Sequence, residues 1–168
     1  YIHSFEALAG SYRNAIGDAF SAQAIKLARE VFASDNMQHA NNREKLMVAS
    51  YLGGSAIATS YVGLVHPFSA GLSVVFGLHH CKANCAAMKG MEEYYPDQYS
   101  DFMRLVAKQS IDLGEVTNNI ENLDSTTHDQ LYNATIIHEK PLTNALGEGF
   151  KEKLDRPTVR RIFEKILQ

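Results

Sequence analysis

The sequence predicts an all-α fold, a multi-helix bundle, and three observations carry that prediction. Apolar residues recur at the 3.6-residue helical period along most of the chain, while strict alternation is scarce. The β-branched pairs Val74-Val75 and Ile136-Ile137 stand isolated, so no strand pattern competes. No internal repeat, low-complexity segment or clear linker interrupts the 168 residues, a length with room for one domain and a real core.

Phe5, Leu8 and Ala9 repeat at helical spacing, so the chain begins in or near a helix that Gly10-Ser11 can break. A second helix is expected from Gly17-Asp18, with Asp18 as N-cap and Ala24, Leu27, Ala28, Val31 and Phe32 on one face of Ala19–Phe32. Ser34–Asn42 is a polar link. Arg43 to about Tyr61 reads as a long helix with a face of mostly small residues: Leu46, Ala49, Leu52, Gly53, Ala56, Ile57 and Ser60. Gly53-Gly54 inside a helix costs about 1 kcal/mol each relative to Ala. Close approach by a neighbouring backbone commonly accompanies such glycines, so this helix is expected to be central and buried for packing reasons.

Ala83–Tyr94 is expected to be helical and to end before Pro96, because the residue before proline avoids the α region. Asp97–Gln109 follows, with Phe102, Leu105 and Val106 inward. Glu115–Leu123 fits a helix through Val116, Ile120 and Leu123. Asp124–Asp129 is polar, Leu131–Ile137 is short, and Leu142–Phe150 contains Gly147 and Gly149. Thr158–Leu167 is a terminal helix that Pro157 can open.

The net charge of −3 and pI near 6.2, without any Lys/Arg run, argue against a nucleic-acid surface. No apolar run reaches the ~18–20 residues of a membrane span. The start Tyr1-Ile2-His3 has no basic region of a signal peptide and no Met, which suggests a chain cut from something longer. Cys81 and Cys85 form no disulfide framework and point to a reducing, cytoplasmic compartment.

The chemistry concentrates in Gly63–Cys85, which holds His66, His79, His80 and both cysteines. Imidazole binds borderline divalent ions, and a functional site takes three or four ligands with one position open. His66 and His80 are 14 residues apart. On one unbroken helix that is about 21 Å, so a shared ion requires the segment to fold back, which Gly71 and Gly77 permit. Spacing therefore allows a shared site without establishing one. His80, Cys81 and Cys85 as a structural zinc site is the weaker idea, since no second C-x2-C is present; two small buried residues on one helix face is the simpler reading. His39 and His138 read as surface residues.

At this stretch the sequence resembles the iron-containing (group III) alcohol dehydrogenases. The residues that carry the resemblance are Gly63-Leu64-Val65-His66-Pro67, then His80 at the family's spacing, followed by Ala83-Asn84. His3-Ser4-Phe5-Glu6-Ala7 is similar to the family's other metal segment, Asp-x-x-x-His-x-x-Glu-Ala. The small-residue helix Met47–Ser60 also fits. The resemblance implies the helical C-terminal domain shared in fold with dehydroquinate synthase, spanning residues 1–168 of a longer two-domain enzyme. It implies His3, His66 and His80 as ligands of Fe2+ or Zn2+, with a fourth, an aspartate four residues before His3, lying upstream of Tyr1. It also implies NAD or NADP held by an N-terminal nucleotide-binding domain, and a homodimer. The implied activity is oxidation of an alcohol or sugar hydroxyl by hydride transfer to NAD(P).

Two departures stand out. Ala70 occupies the position where many members have another histidine, and His79-His80-Cys81 replaces Pro-His-Gly. His79 is weighed as a stand-in for the missing histidine against a plain surface residue. Together with the ending from Glu139-Lys140-Pro141 through Phe150, these departures resemble a branch that oxidises C8 of 3-deoxy-manno-octulosonate. Glu6, one turn after His3, is a candidate to orient an imidazole, against the simpler reading of a surface carboxylate. Two other functions compete: an HD-type phosphohydrolase using His128-Asp129, and a non-catalytic helical interaction domain.

Overall fold

A computed structural model describes residues 1–113 and 123–168. The described residues form ten α-helices and no strand: α1 (Ile2–Ala9), α2 (Ala15–Ala33), α3 (Ala40–Ser60), α4 (Val65–Phe76), α5 (His80–Ala87), α6 (Pro96–Lys108), α7 (Ser125–Ile136), α8 (Glu139–Leu146), α9 (Phe150–Lys153) and α10 (Arg156–Leu167). A single 3-10 turn, Met88–Gly90, extends α5. The all-α expectation holds. No single helix among the described residues is long and apolar enough to cross a membrane.

Helices α2 and α3 pair along their length, with α1 laid across both. Helix α4 leaves α3 at 107° and packs against α5 and α7, while α10 closes the far side. The core lies in this second group. Phe68 and Leu72 of α4 meet Leu131 of α7 and Ile162, Phe163 and Ile166 of α10, all essentially inaccessible. The Phe68 and Phe163 rings stand 5.0 Å apart. Each such fully buried side chain contributes roughly 1.5–3 kcal/mol, so α4 is held firmly from this side.

Local chemistry moved several boundaries. Helix α2 starts at Ala15 rather than at Ala19 after an Asp18 cap, because Asn14 is its N-cap, accepting from Gly17 N at 3.0 Å. Asp18 instead pairs with Arg13. Helix α7 includes the polar stretch 125–129, since Asp124 caps it through Thr127 N at 2.7 Å. Helix α5 begins at His80 and stops at Ala87, shorter than Ala83–Tyr94. The fold-back after α4 is made at Gly77 (φ 68), a left-handed residue that glycine adopts without strain, whereas Gly71 lies inside α4. Of the helix expected over Glu115–Leu123, residues 115–122 lie outside the described residues.

The α3–α4 turn carries strain. Tyr61 sits at φ 58, ψ 169, a region that non-glycine residues enter at a cost of about 1–3 kcal/mol. Its ring stacks edge-on with Tyr12, and the Lys140 ammonium lies over it.

Candidate metal centre

Three helix starts meet at one point. His3 is in the first turn of α1, His66 in the first turn of α4, and His80 opens α5. Each offers a ring nitrogen, and these atoms all lie within 4.8 Å of one another. The His3 and His66 rings stack with centroids 4.8 Å apart and planes 25° apart. His66 and His80 are 5.6 Å apart and tilted by 50°. The sharp α3–α4 turn brings His66 to His3, and the bend at Gly77 brings His80 back to both. Among the described residues this is the one His/Cys/Asp/Glu group arranged to hold a metal ion.

Glu6 organises the site. It is completely buried, which corrects the surface reading. Its Oε1 accepts from Val65 N at 2.6 Å, so the carboxylate sits at the positive N-terminus of α4. Its Oε2 accepts from His66 Nδ1. With the proton on Nδ1, His66 presents a lone pair on Nε2, the form that binds metals. Tyr95 supports the same turn, its hydroxyl accepting from Leu64 N at 3.0 Å. Gly63 makes room for this cradle: a Cβ there would lie 2.5 Å from Tyr95 Oη and 3.2 Å from Glu6 Oε1. Asn84, one turn along α5, places its carboxamide 3.0 Å from His80 Nε2. With the carboxamide oxygen on that side it accepts from Nε2–H, which leaves Nδ1 as the ligating nitrogen and partners an Oδ1 that is otherwise buried and unpaired.

The residues present fit a divalent ion on one observation above all. Among the described residues His66 Nε2 is buried with no hydrogen-bond partner, and His66 belongs to the converging group. An unpaired buried nitrogen is costly, and a cation is the kind of partner that relieves it. Protonation is disfavoured around it. Burial, then the His66 and His80 rings, bring the His3 pKa down to about 4. Partial desolvation, then His66 and His79, lower that of His80. Neutral imidazole is the ligating form.

The other singled-out residues fall outside the triad. Cys81 is exposed and Cys85 partly so, rather than both buried; with His3, Tyr1 and Phe102 they line a cavity of about 300 Å³. His79 is exposed, and its Nδ1 accepts from Cys81 N at 3.4 Å, capping α5. Ala70 lies one turn beyond His66 on α4, half-buried. His39 is exposed and His138 half-buried. Among the described residues the pair His128-Asp129 joins no metal-competent group, and Asp129 is bound to Arg156, so the phosphohydrolase reading is not favoured. Tyr95 was not among the residues expected here; 31 residues separate it from Leu64, and no local spacing signals the contact. Asn84 was foreseeable from its i+4 relation to His80.

Residues 1–144 match the C-terminal region of the Fe-containing alcohol dehydrogenase family. The chain belongs to that family. Methanol:N,N-dimethyl-4-nitrosoaniline oxidoreductase of Mycobacterium sp. (strain DSM 3803 / JC1) is 30% identical over 92 residues, 54% of this chain and 21% of that protein. The NAD-dependent methanol dehydrogenase of Bacillus methanolicus is 33% identical over 88 residues, 51% of this chain and 23% of that one. The fold is that of two solved structures. An iron-containing alcohol dehydrogenase of Thermotoga maritima superposes with a TM-score of 0.69 at 20% identity, over 99% of this chain and 46% of that one. Sulfoacetaldehyde reductase of Bifidobacterium kashiwanohense gives 0.77 at 15%, over 99% and 48%. The chain thus spans about half the length of these solved members of the fold.

Proposed function

We propose that this chain is the metal-binding half of an NAD(P)-dependent alcohol oxidoreductase, with His3, His66 and His80 as ligands of a divalent ion, Fe2+ or Zn2+. The observation that carries the reading is the buried, unpartnered Nε2 of His66 within a group of three converging imidazoles. When bound, such an ion supplies Lewis-acid polarisation of an alcohol or carbonyl oxygen, and NAD(P) supplies the hydride acceptor.

The chain's own residues prepare that chemistry. Glu6 holds the proton on His66 Nδ1 and keeps Nε2 free. Burial and mutual repulsion keep His3 neutral. His80 is the exposed member, so the open side of the site lies at the start of α5. Completion of the site by an upstream aspartate and by a nucleotide-binding domain, and pairing into a homodimer, belong to this reading. So does a cytoplasmic location, supported by two free thiols. The narrower sugar-acid substrate rests on Ala70, His79 and the segment Glu139–Phe150 alone, and the relatives reported above carry other substrates in their names.

The test is bound metal and NAD(P)+ reduction by the full-length protein across simple alcohols, polyols and sugar acids. Alcohol-dependent reduction that disappears with His66→Ala and His80→Ala is the expected result. Phosphate release without nucleotide reduction would contradict it.

A further inference from the structure

Asn144 lies on α8 outside the histidine group and is 2% exposed. Every hydrogen-bonding capacity of its carboxamide is used. Nδ2 donates to Ser60 O at 3.1 Å and to Val62 O at 3.0 Å. Oδ1 accepts from Tyr12 N at 2.7 Å and from Ser11 Oγ at 3.5 Å. Its main-chain oxygen accepts from Ser11 N at 2.8 Å.

These partners belong to two segments. Ser11 and Tyr12 are the exit from α1, the helix of His3. Ser60 and Val62 flank the turn that leads through Gly63 into α4, the helix of His66. The residue between those two carbonyls is Tyr61, at φ 58 in the left-handed region. A side chain in that conformation has cause to relax, and the Asn144 amide ties down the carbonyl on each side of it. Glu6 joins α1 to α4 beside His66. Helix α1 also packs across α2 and α3, and the Tyr61 ring rests on Tyr12. Asn144 adds a hydrogen-bonded tie between the exit of α1 and the turn into α4, at the end of α1 away from Glu6. Ties at both ends of α1 set its angle to α4.

We propose that Asn144 is a positioning residue for the histidine triad, setting the angle between the His3 helix and the His66 helix by clamping the Tyr61 turn to the exit of α1. The inference rests on the reading of the triad as a metal site. It names a residue that touches none of the three imidazoles, on a helix that contributes no ligand.

Titration of the metal-free, full-length protein with Co2+ tests it, because the visible bands of bound Co2+ report ligand geometry independently of turnover. Four proteins are compared: wild type, His66→Ala, Asn144→Ala and Asn144→Gln, the last keeping the carboxamide but displacing it by one methylene. Asn144→Ala is expected to weaken Co2+ binding by roughly tenfold and to change band intensity. Asn144→Gln is expected to weaken it less and to change the bands in the same direction. If Asn144→Ala does not fold, Asn144→Gln decides. Wild-type affinity and spectrum in a folded variant, even with a lowered melting temperature, would overturn the proposal. So would failure of both variants to fold, which would make Asn144 a residue the whole fold needs rather than one that positions the triad. A wild type that binds no better than His66→Ala overturns the metal-site reading itself, and with it this inference.

Discussion

Among the described residues His66 and His128 each bury a ring nitrogen with no hydrogen-bond partner, yet only His66 belongs to a converging group of imidazoles. His66 Nε2 faces two further imidazoles, and its other nitrogen is held by a buried carboxylate. His128, on α7, stands among Asp129 bound to Arg156 and Arg160 bound to Glu164, with no second imidazole beside it. An unpaired buried nitrogen is therefore a weak signal alone. It gains meaning when independent helices deliver like groups to the same point and a partner fixes the tautomer.

The sharpest contrast comes from removing each ring. His66→Ala is expected to weaken divalent-metal binding by about 100-fold or more, while His128→Ala leaves it unchanged, as read by calorimetry. Equal losses would erase the distinction. Next in size is Glu6→Gln, expected to cost roughly 10–100-fold in metal affinity. One end of the amide must point an N–H at either Val65 N or His66 Nδ1. Gly63→Ala acts on the same cradle through a clash with Tyr95 Oη and should destabilise the fold by about 1–3 kcal/mol in urea unfolding.

A pH series separates the two regions differently. The folded His3 pKa is depressed from its ordinary 6.5 to about 4, so the unfolded chain takes up the proton first. The stability linked to neutral His3 is complete above pH 6.5 and is lost as pH falls from there to about 4. Metal-free His3→Gln should show a shallower fall over that window; an identical fall would show that His3 is not the group responsible. The smallest effect is expected at His128. Replacing its unpartnered ring with Leu should change stability by no more than about 1 kcal/mol and can raise it.

The helical class was legible because 3.6-residue periodicity survives in α2, α6 and α10, while α3 buries only small residues at that spacing (Ala49, Gly53, Ala56 and Ser60) and leaves Met47 and Tyr51 exposed, so it is not the buried central helix its glycines suggested. Boundaries went astray where one side-chain cap outweighed the pattern, as Asn14 and Asp124 did. In the site, His66 and His80 were legible as a pair separated by a fold-back, but the glycine that makes the bend is Gly77, since Gly71 packs within α4 against Phe163. His3 came into view through resemblance, because nothing in local spacing links it to residues more than sixty positions away. Glu6 was visible as a candidate, but its burial depends on the arrival of α4 above it. Tyr95 and Asn144 were invisible for the same reason: their partners are main-chain groups of a distant turn, and a main-chain group leaves no mark in the sequence.

Whether three imidazoles from three helices hold one ion is tested most directly by the iron and zinc content of the full-length protein beside His3→Ala, His66→Ala and His80→Ala, prepared identically. Close to one ion per chain in the wild type, lost in each of the three variants, is the result this account predicts. The same metal content in all four proteins would contradict it.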